Sequence, residues 1–181
     1  CDKLQSLDLS FMNTDSAEDM SWMFFYCRSL EFLNIESFNT SQVTNMSEMF
    51  FGCRKLNQIN LSSFNTSNVT NMNGMFGYCN GLSSLDLSSF NTTKVTDMTS
   101  MFIECLMLKS LDLSSFDTKN VTRMHGMFSS CNSLKSINLS SFEISNVEDF
   151  SSMFYDTGFE VLDLSNFQTS SAKNMTFMFG I

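Results

Sequence analysis

The chain repeats one short pattern, in which apolar positions first alternate with polar ones and then recur at steps of three. In one copy of this pattern Leu85 and Leu87 alternate with serine and aspartate, which is typical of a short half-buried strand. Val95, Met98 and Met101 follow at steps of three, which is typical of one face of a short helix. Serine, asparagine and threonine fill the interval and suit turns and helix N-caps. The pattern therefore predicts a unit of strand, turn, short helix and turn.

The unit repeats with a constant step along the chain. The cysteines show the step most clearly, because the interval between neighbours never changes from Cys1 through Cys27, Cys53, Cys79 and Cys105 to Cys131. Leucine, phenylalanine, valine and methionine occupy further columns with the same step. Because one unit alone cannot bury its apolar residues, equivalent residues of successive units must stack on each other.

The stacked repeat predicts an α/β solenoid in which residues 1–181 form a single domain of about seven units. We expect a leucine-rich-repeat-like, right-handed coil with one parallel β-sheet face and short helices on the opposite face. The first unit carries Phe11 and Ala17 at repeat positions held elsewhere by other residues. The last unit lacks the cysteine and has lost one residue between Phe154 and Leu162. This drift predicts terminal caps or a cut from a longer surface protein, and we expect the chain to be such a fragment.

Composition and charge argue against several classes of protein. Hydrophobic residues make up 43% of the chain, with 20 Phe, 15 Met and no Pro, which argues against disorder. The formal net charge of −9 argues against nucleic acid as a partner. No apolar run reaches the roughly 18 residues that a membrane span needs, so we expect no direct membrane insertion by this segment. No cofactor is expected.

The segment from Met75 to Met98 carries a family resemblance. It combines Met-Phe, a cysteine, Leu-Asp-Leu-Ser-Ser-Phe-Asn-Thr and Val-Thr-x-Met. This string resembles the 26-residue repeat of bacterial surface proteins, a family akin to the BspA-type leucine-rich-repeat surface proteins and lipoproteins, and the resemblance covers essentially the whole chain. It implies an exported, cell-surface or secreted protein that adheres to a host or neighbouring cell through a surface protein or a glycan. It carries no catalytic residues to transfer.

The cysteine column admits three interpretations. Zinc sites need cysteines about two to four residues apart, so cysteines a whole unit apart argue against a metal there. Stacked units would bring neighbouring cysteines within disulfide distance, but parallel side chains are poorly oriented for the bond. We therefore favour a structural ladder of buried thiols formed by the six residues.

A polar column is expected to face solvent between the inward leucines of the strands. Its members are Asp8, Asn34, Asn60, Asp86, Asp112, Asn138 and Asp163. One interpretation is a surface for extended glycans, peptides or cationic proteins, and the other is solvation, with asparagines relieving repulsion between aspartates. Calcium binding by Asp86 with Asp112 is a weaker alternative, because a flat sheet presents few converging oxygens.

Four residues break the uniformity of strand columns that serine mainly occupies. They are the first candidates for contact with a ligand: Phe32, Glu36, Gln58 and Val161. Specific recognition needs different residues at different points of a surface, and these four supply the difference. A separate threonine column before each predicted helix is expected to cap the helices, at Thr40, Thr66, Thr92 and Thr118.

The sequence offers little for catalysis. The sole histidine, His125, lies in an outward column that serine, asparagine and threonine share. No glycine-rich phosphate loop and no singular acid or base stands out from the columns, so we expect no enzyme. Two functions remain: a cell-surface binding or adhesion module, or a passive stalk in a surface protein. We expect a monomer or weak end-to-end self-association.

Overall fold

The computed structural model describes residues 1–180 and consists of coils that stack one repeat unit apart. Strands β1 (Ser6–Asp8) and β2 (Phe32–Asn34) pair in parallel, with Leu7 opposite Leu33. A second column of single parallel bridges connects one coil to the next, through Asp19, Asn45, Asn71, Asp97, Arg123, Asp149 and Asn174. The prediction of a repeat solenoid is therefore confirmed, while the handedness of the coil stays a prediction.

The predicted short helices are wrong, since residues 1–180 contain no helix. The segments expected to be helical are runs of turns, in which alternate backbone N–H groups leave the coil. The N–H groups of Met46 and Phe50 donate to carbonyls of the next coil at 3.0 Å, whereas that of Met49 donates to the Met46 carbonyl at 3.3 Å. Consecutive turns also bury residues at steps of three and four, so their apolar pattern imitates that of a helix.

The first six runs of turns each contain two positions with positive φ, as the third residue of a type II turn requires, and the described part of the last run contains one. We number the coils so that the first begins with β1 and the second with β2. In the second coil the two positions are Glu48 (φ 53°) and Gly52 (φ 76°). Most equivalent positions hold residues other than glycine, among them Trp22, Tyr26, Tyr78, Ser100, Glu104, Ser130, Ser152, Asp156 and Phe177. A left-handed conformation costs such residues about 1–2 kcal/mol each, and the bonds and packing between coils must offset that cost.

The core is one continuous cluster of apolar side chains that runs along the stack. Its central ladder consists of phenylalanine rings whose centroids lie 5.5–6.0 Å apart, at Phe24, Phe50, Phe76, Phe102, Phe128 and Phe154. Neighbouring rings are nearly parallel, with interplanar angles of 2–9°. Each fully buried ring contributes about 1.5–3 kcal/mol, and only the adjacent coils can bury it.

The threonine column links coils and does not cap helices. The Thr40 hydroxyl donates to the Asn65 carbonyl of the next coil at 2.9 Å and accepts the Asn65 N–H at 2.8 Å. Thr66 and Thr92 form the same pair of bonds. These hydroxyls are buried, and each satisfies a donor and an acceptor that the next coil would otherwise leave unpaired.

The predicted parallel sheet is wrong in its extent, because its strands are confined to β1 and β2 within the described chain. On the strand side of later coils few backbone bonds cross between neighbours, for example Lys109 N–H to the Ser83 carbonyl at 3.1 Å. The turn segments and threonines hold the coils together instead. The strand sides are therefore less tightly joined and leave grooves between coils.

The last described coil is one residue shorter than the others, and a tight turn accommodates the difference. Its bridge joins Asp149 to Asn174, one position short of the usual step, and Gly158 lies so close to the Asn132 carbonyl that a Cβ would clash. Phe177 and Phe179 of this coil are 67% and 62% exposed.

The buried position of Met101 can be tested with a charge. Replacing this fully buried side chain, Met101→Asp, should lower the free energy of unfolding by about 3–5 kcal/mol, because an unpaired carboxylate enters the core. The matched control is Met107→Asp at a residue that is 52% exposed, and it should change stability by less than about 0.5 kcal/mol. Urea denaturation followed by circular dichroism measures both, and equal midpoints would contradict the stacking register.

The strain at positive φ can be tested with glycine. Ser100→Gly should raise the free energy of unfolding by about 0.5–1 kcal/mol, because Ser100 has φ 54° and glycine adopts this conformation without steric cost. Thr99→Gly at the neighbouring position should instead lower it, since glycine there only adds unfolded-state entropy. A loss of stability in both variants would exclude strain at Ser100.

Candidate functional site

The side chains of the polar column on the strand side form hydrogen bonds within their own turns. In every coil the Oδ1 atom of the aspartate or asparagine accepts the backbone N–H two residues later, as Asp86 does from Ser88 at 2.9 Å. The same bond occurs at Asp8, Asn34, Asn60, Asp112, Asn138 and Asp163. Such Asx turns end the extended segment and fix the direction of the chain. One oxygen of each side chain is thus already engaged.

These turn bonds change the acidity of the aspartates. The backbone N–H of the serine two residues later lowers the pKa of Asp8, Asp86, Asp112 and Asp163, because it hydrogen-bonds the charged carboxylate. The Asp86 charge acts in the opposite sense on the pKa of Asp112, since like charges disfavour ionisation. The column is therefore a stripe of ionised and amide groups at neutral pH.

Five of the residues singled out in the sequence come together between the second and third coils. They are Phe32, Asn34, Glu36, Gln58 and Asn60. With Glu31, Leu33 and Ile59 they line a cavity of about 330 Å³, which we call the strand-face groove. Phe32 is 50% exposed and supplies the groove with an apolar surface. The groove is the candidate site, because it concentrates the side chains that distinguish these coils from the rest.

Most charged groups of the strand-face groove already have partners. Lys55 Nζ lies 3.1 Å from Glu31 Oε1, and Asn60 Nδ2 donates to Glu36 Oε1 at 3.0 Å. The Gln58 side chain is exposed and forms no hydrogen bond within the described chain. The groove thus offers amide donors and acceptors beside an aromatic ring rather than a concentration of unpaired charge.

A second groove shows what the strand side looks like without those residues. It has a volume of about 320 Å³ and is lined by Leu85, Asp86, Leu87, Ser88, Asp112, Ser114 and Ser115. Asp86 and Asp112 face it, yet each already accepts a turn N–H, and no described residues form a group of three acidic, histidine or cysteine side chains suited to a metal ion. This groove has neither an aromatic ring nor an amide side chain.

The remaining residues of the predicted surface lie apart from the strand-face groove. Asp8 belongs to the preceding coil, and Asn138 and Asp163 belong to coils near the other end. Val161 shares the column of Phe32 and Gln58 and is strongly exposed, but it is several coils away. The predicted polar column is therefore continuous in the stack, whereas three of the four residues that depart from the serine columns, Phe32, Glu36 and Gln58, form one local site.

The thiols form a buried column away from solvent. Cys53 Sγ donates to the Phe24 carbonyl at 3.2 Å, and Cys79, Cys105 and Cys131 form the equivalent bond at 3.1 Å. Burial, with a smaller effect of Cys27, raises the pKa of Cys53 to about 12. Cys1 departs from the column because it is exposed. All six thiols are free. Burial raises the pKa of Cys79, Cys105 and Cys131 as it does for Cys53, so these four thiols stay protonated at neutral pH and are poor nucleophiles.

His125 is exposed, as its outward column predicts, and it has a hydrogen-bond partner in the next coil. His125 Nδ1 lies 2.7 Å from Ser151 Oγ, and the Ser151 hydroxyl donates to Asp149. In hydrolases with a serine nucleophile the imidazole lies between serine and carboxylate and takes the serine proton. Here the serine lies between the other two, so its proton goes to the carboxylate. The three residues therefore lack the order that activates a serine nucleophile.

Sequence reasoning missed an aromatic cluster on the turn segments of the first three coils. It contains Phe25, Tyr26, Phe51 and Tyr78, with Phe51 and Tyr78 centroids 4.9 Å apart. A Cβ on Gly52 would lie 2.6 Å from the Tyr26 ring, and one on Gly77 would lie 2.7 Å from the Phe51 ring. The available signal was the concentration of aromatic residues in two columns of the first three coils, which later hold mainly other residues, such as Ile103, Glu104 and Ser129.

Comparison with known proteins identifies a family. A family model described as "Mycoplasma protein of unknown function, DUF285" matches residues 1–110 and 78–181. No curated protein matches the chain. Within the described residues, no helix has the length and apolar character needed to cross a membrane.

Two solved structures are similar to this chain at low identity. A leucine-rich repeat protein from Bacteroides ovatus is 19% identical over 98% of this chain and 38% of its own, with a TM-score of 0.49. The functional domain of InlJ from Listeria monocytogenes, which includes a cysteine ladder, is 11% identical over 96% of this chain and 55% of its own, with a TM-score of 0.17. The chain thus spans well under two thirds of either protein.

The turn bonds of the aspartates predict a dependence of stability on acid. Because the folded pKa of Asp86 and Asp112 lies below the ordinary 3.8, their contribution is present above pH 3.8 and is lost as the pH falls through the folded pKa. Replacing both, Asp86→Asn with Asp112→Asn, keeps the acceptor and should flatten the fall in unfolding free energy below pH 3.8.

The converse variant serves as the control. Asn138→Asp places a carboxylate in the same turn and should steepen the acid dependence, because Asn138 Oδ1 already accepts the Ser140 N–H at 3.0 Å. Urea denaturation at a series of pH values measures the slopes. Parallel curves for parent, double variant and Asn138→Asp would show that the turn bonds do not set the acid response.

Proposed function

We propose that this chain, which belongs to the DUF285 family, is a non-enzymatic binding module that holds a ligand in the strand-face groove. Membership confirms the bacterial repeat family that the repeated pattern indicates. The description of the family assigns no function, so the proposal rests on the groove. The observation that carries it is the convergence of Phe32, Glu36 and Gln58, each of which departs from a serine column, in one cavity.

Convergence of distinctive residues argues for selection of that surface. Phe32 and Gln58 occupy the column held by Ser84, Ser110 and Ser136 in later coils. An exposed phenylalanine adds nothing to the core ladder and presents apolar area to water, a cost that contact with a partner would remove. Folding alone therefore gives no reason for Phe32, whereas ligand binding does.

We place the module at the cell surface or in a secreted protein, where the ligand would be a surface protein or glycan of a host or neighbouring cell. The family resemblance supports this location. The acidic charge of −9 and the buried thiols are compatible with an exposed role, because few reactive groups reach the surface. The chain would act as a monomer or with weak end-to-end association.

A passive stalk is the second candidate function, and the later coils favour it. Their strand side repeats serine and aspartate almost unchanged, as at Ser84, Asp86, Ser110 and Asp112. A uniform surface suits a spacer, since specific recognition needs variation along it. Both roles fit one molecule if the second and third coils bind and the later coils set a distance.

The chain itself supplies the replacement that tests the binding module. The triple variant Phe32→Ser, Glu36→Ser and Gln58→Ser gives the groove the residues of later coils, so the fold should persist. Attachment to immobilised bacterial cells, cultured host cells and purified matrix proteins should fall about tenfold or more, as expected when a central aromatic contact is lost. Surface plasmon resonance measures it on the parent and the variant.

The control is Val161→Ser, in the same column but outside the groove, and it should attach like the parent. Equal attachment of the triple variant and the parent would move the site to another face, with the aromatic cluster of the turn segments as the next surface to change. Failure of the parent to attach to any of these surfaces would support the stalk.

A further inference from the structure

The floor of the strand-face groove contains backbone groups that face the next coil. Phe32 N–H donates to the Gln5 carbonyl at 3.1 Å, and the Asn34 carbonyl accepts from Leu9 N–H at 2.9 Å, so both residues bond towards β1. In a parallel strand the intervening residue directs its N–H and C=O to the other side. The backbone N–H and C=O of Leu33 are therefore directed towards the third coil. No backbone hydrogen bond among the described residues joins residues 32–34 to residues 58–60, however.

The walls of the groove add amide groups to this floor. Asn34 and Asn60 each use their Oδ1 atom in a turn, and the Gln58 amide forms no bond within the described residues. An amide side chain offers donors and an acceptor, and a backbone peptide offers one of each. The groove thus presents a mixed field of donors and acceptors, and a ligand rich in hydroxyl groups matches it because each hydroxyl both donates and accepts.

The aromatic ring and the charged side chains of the groove limit the class of ligand further. The apolar C–H face of a sugar ring can pack on the half-exposed Phe32, with its hydroxyl edges directed to the amides. Lys55 pairs with Glu31, whereas Glu36 accepts from the neutral Asn60 amide and keeps its negative charge. The groove therefore carries one uncompensated exposed carboxylate, and such a charge contributes little to holding a cation in salt solution. An anionic ligand would meet two carboxylates in a protein of net charge −9.

We propose that the strand-face groove is a binding site for a neutral carbohydrate chain, stacked on Phe32 and hydrogen-bonded by Gln58, Asn60 and the backbone of Leu33. This assignment rests on the proposed binding function and names its ligand class. The groove between the fourth and fifth coils is lined by Asp86, Asp112 and serines without an aromatic ring, so we expect it not to bind such a chain.

The test uses defined oligosaccharides and amide chemical shifts of the whole chain. Maltohexaose, cellohexaose and chitohexaose are the neutral probes, hexagalacturonate is the acidic probe and hexalysine is the cationic probe. At least one neutral probe should shift the amides of Leu33, Gln58 and Ile59 at millimolar concentration, with a Kd that does not change with salt. Hexagalacturonate and hexalysine should leave these amides unchanged.

Substitutions at one position separate ring stacking from a structural effect. Phe32→Ser should weaken the binding of the neutral probe about tenfold or more, whereas Phe32→Trp keeps an aromatic face and should retain it. Val161→Ser should bind like the parent. Unchanged dispersion of the other amide signals checks that each variant is folded.

Two results would overturn the assignment. One is the absence of any shift of groove amides with all three neutral probes, and the other is an unchanged Kd in Phe32→Ser. If hexalysine shifts these amides instead, or if cell attachment depends on the groove while sugars do not bind, the carbohydrate assignment fails and the binding module stands. Attachment that is independent of the groove would remove the binding module itself.

Discussion

The architecture depends on hydrogen bonds between coils, in which alternate N–H groups of each turn segment donate to backbone carbonyls of the next coil. A buried backbone group without a partner costs about 1–3 kcal/mol, so each coil needs a neighbour at the correct register to complete its bonds. Because the register of the bridge column is constant, each phenylalanine ring stacks on the ring of the next coil, and each threonine hydroxyl lies within hydrogen-bond distance of the backbone of the next coil. Buried thiols follow the same rule, because Cys53 donates to a carbonyl of the coil before it.

The sequence predicts well which residues are buried but predicts poorly whether a segment is a helix or a run of turns. Both outcomes have one cause, because periodicity reports burial and the two kinds of segment share it. Leu85, Leu87, Met98 and Met101 are all buried in the structure, as their periodicity indicates. A helix and a run of turns bury residues at similar steps, however, and the choice depends on whether the neighbouring coil accepts the N–H groups. Glycine would have signalled the left-handed positions, but Ser100 and Glu104 occupy them in the fourth coil.

The residues of the candidate site could be predicted from the sequence, whereas the groove that they form could not. Phe32, Glu36 and Gln58 stand out as departures from their columns, and that signal is available without coordinates. Their groove is not, because it arises where the strand side of the second coil fails to pair with the third. The repeated residues thus maintain the scaffold, and the few coil-specific ones give one place on it a distinct chemistry.

The tolerance of the stack to changes of length differs sharply between whole units and single residues. A duplication or deletion of one complete unit joins two equivalent coils, so every bond across the junction can form as before. Within residues 1–180 the loss of one residue is accommodated in the turn around Gly158, between the bridge residues Asp149 and Asn174. The rod can therefore become longer or shorter by whole units while the interface between neighbouring coils stays the same.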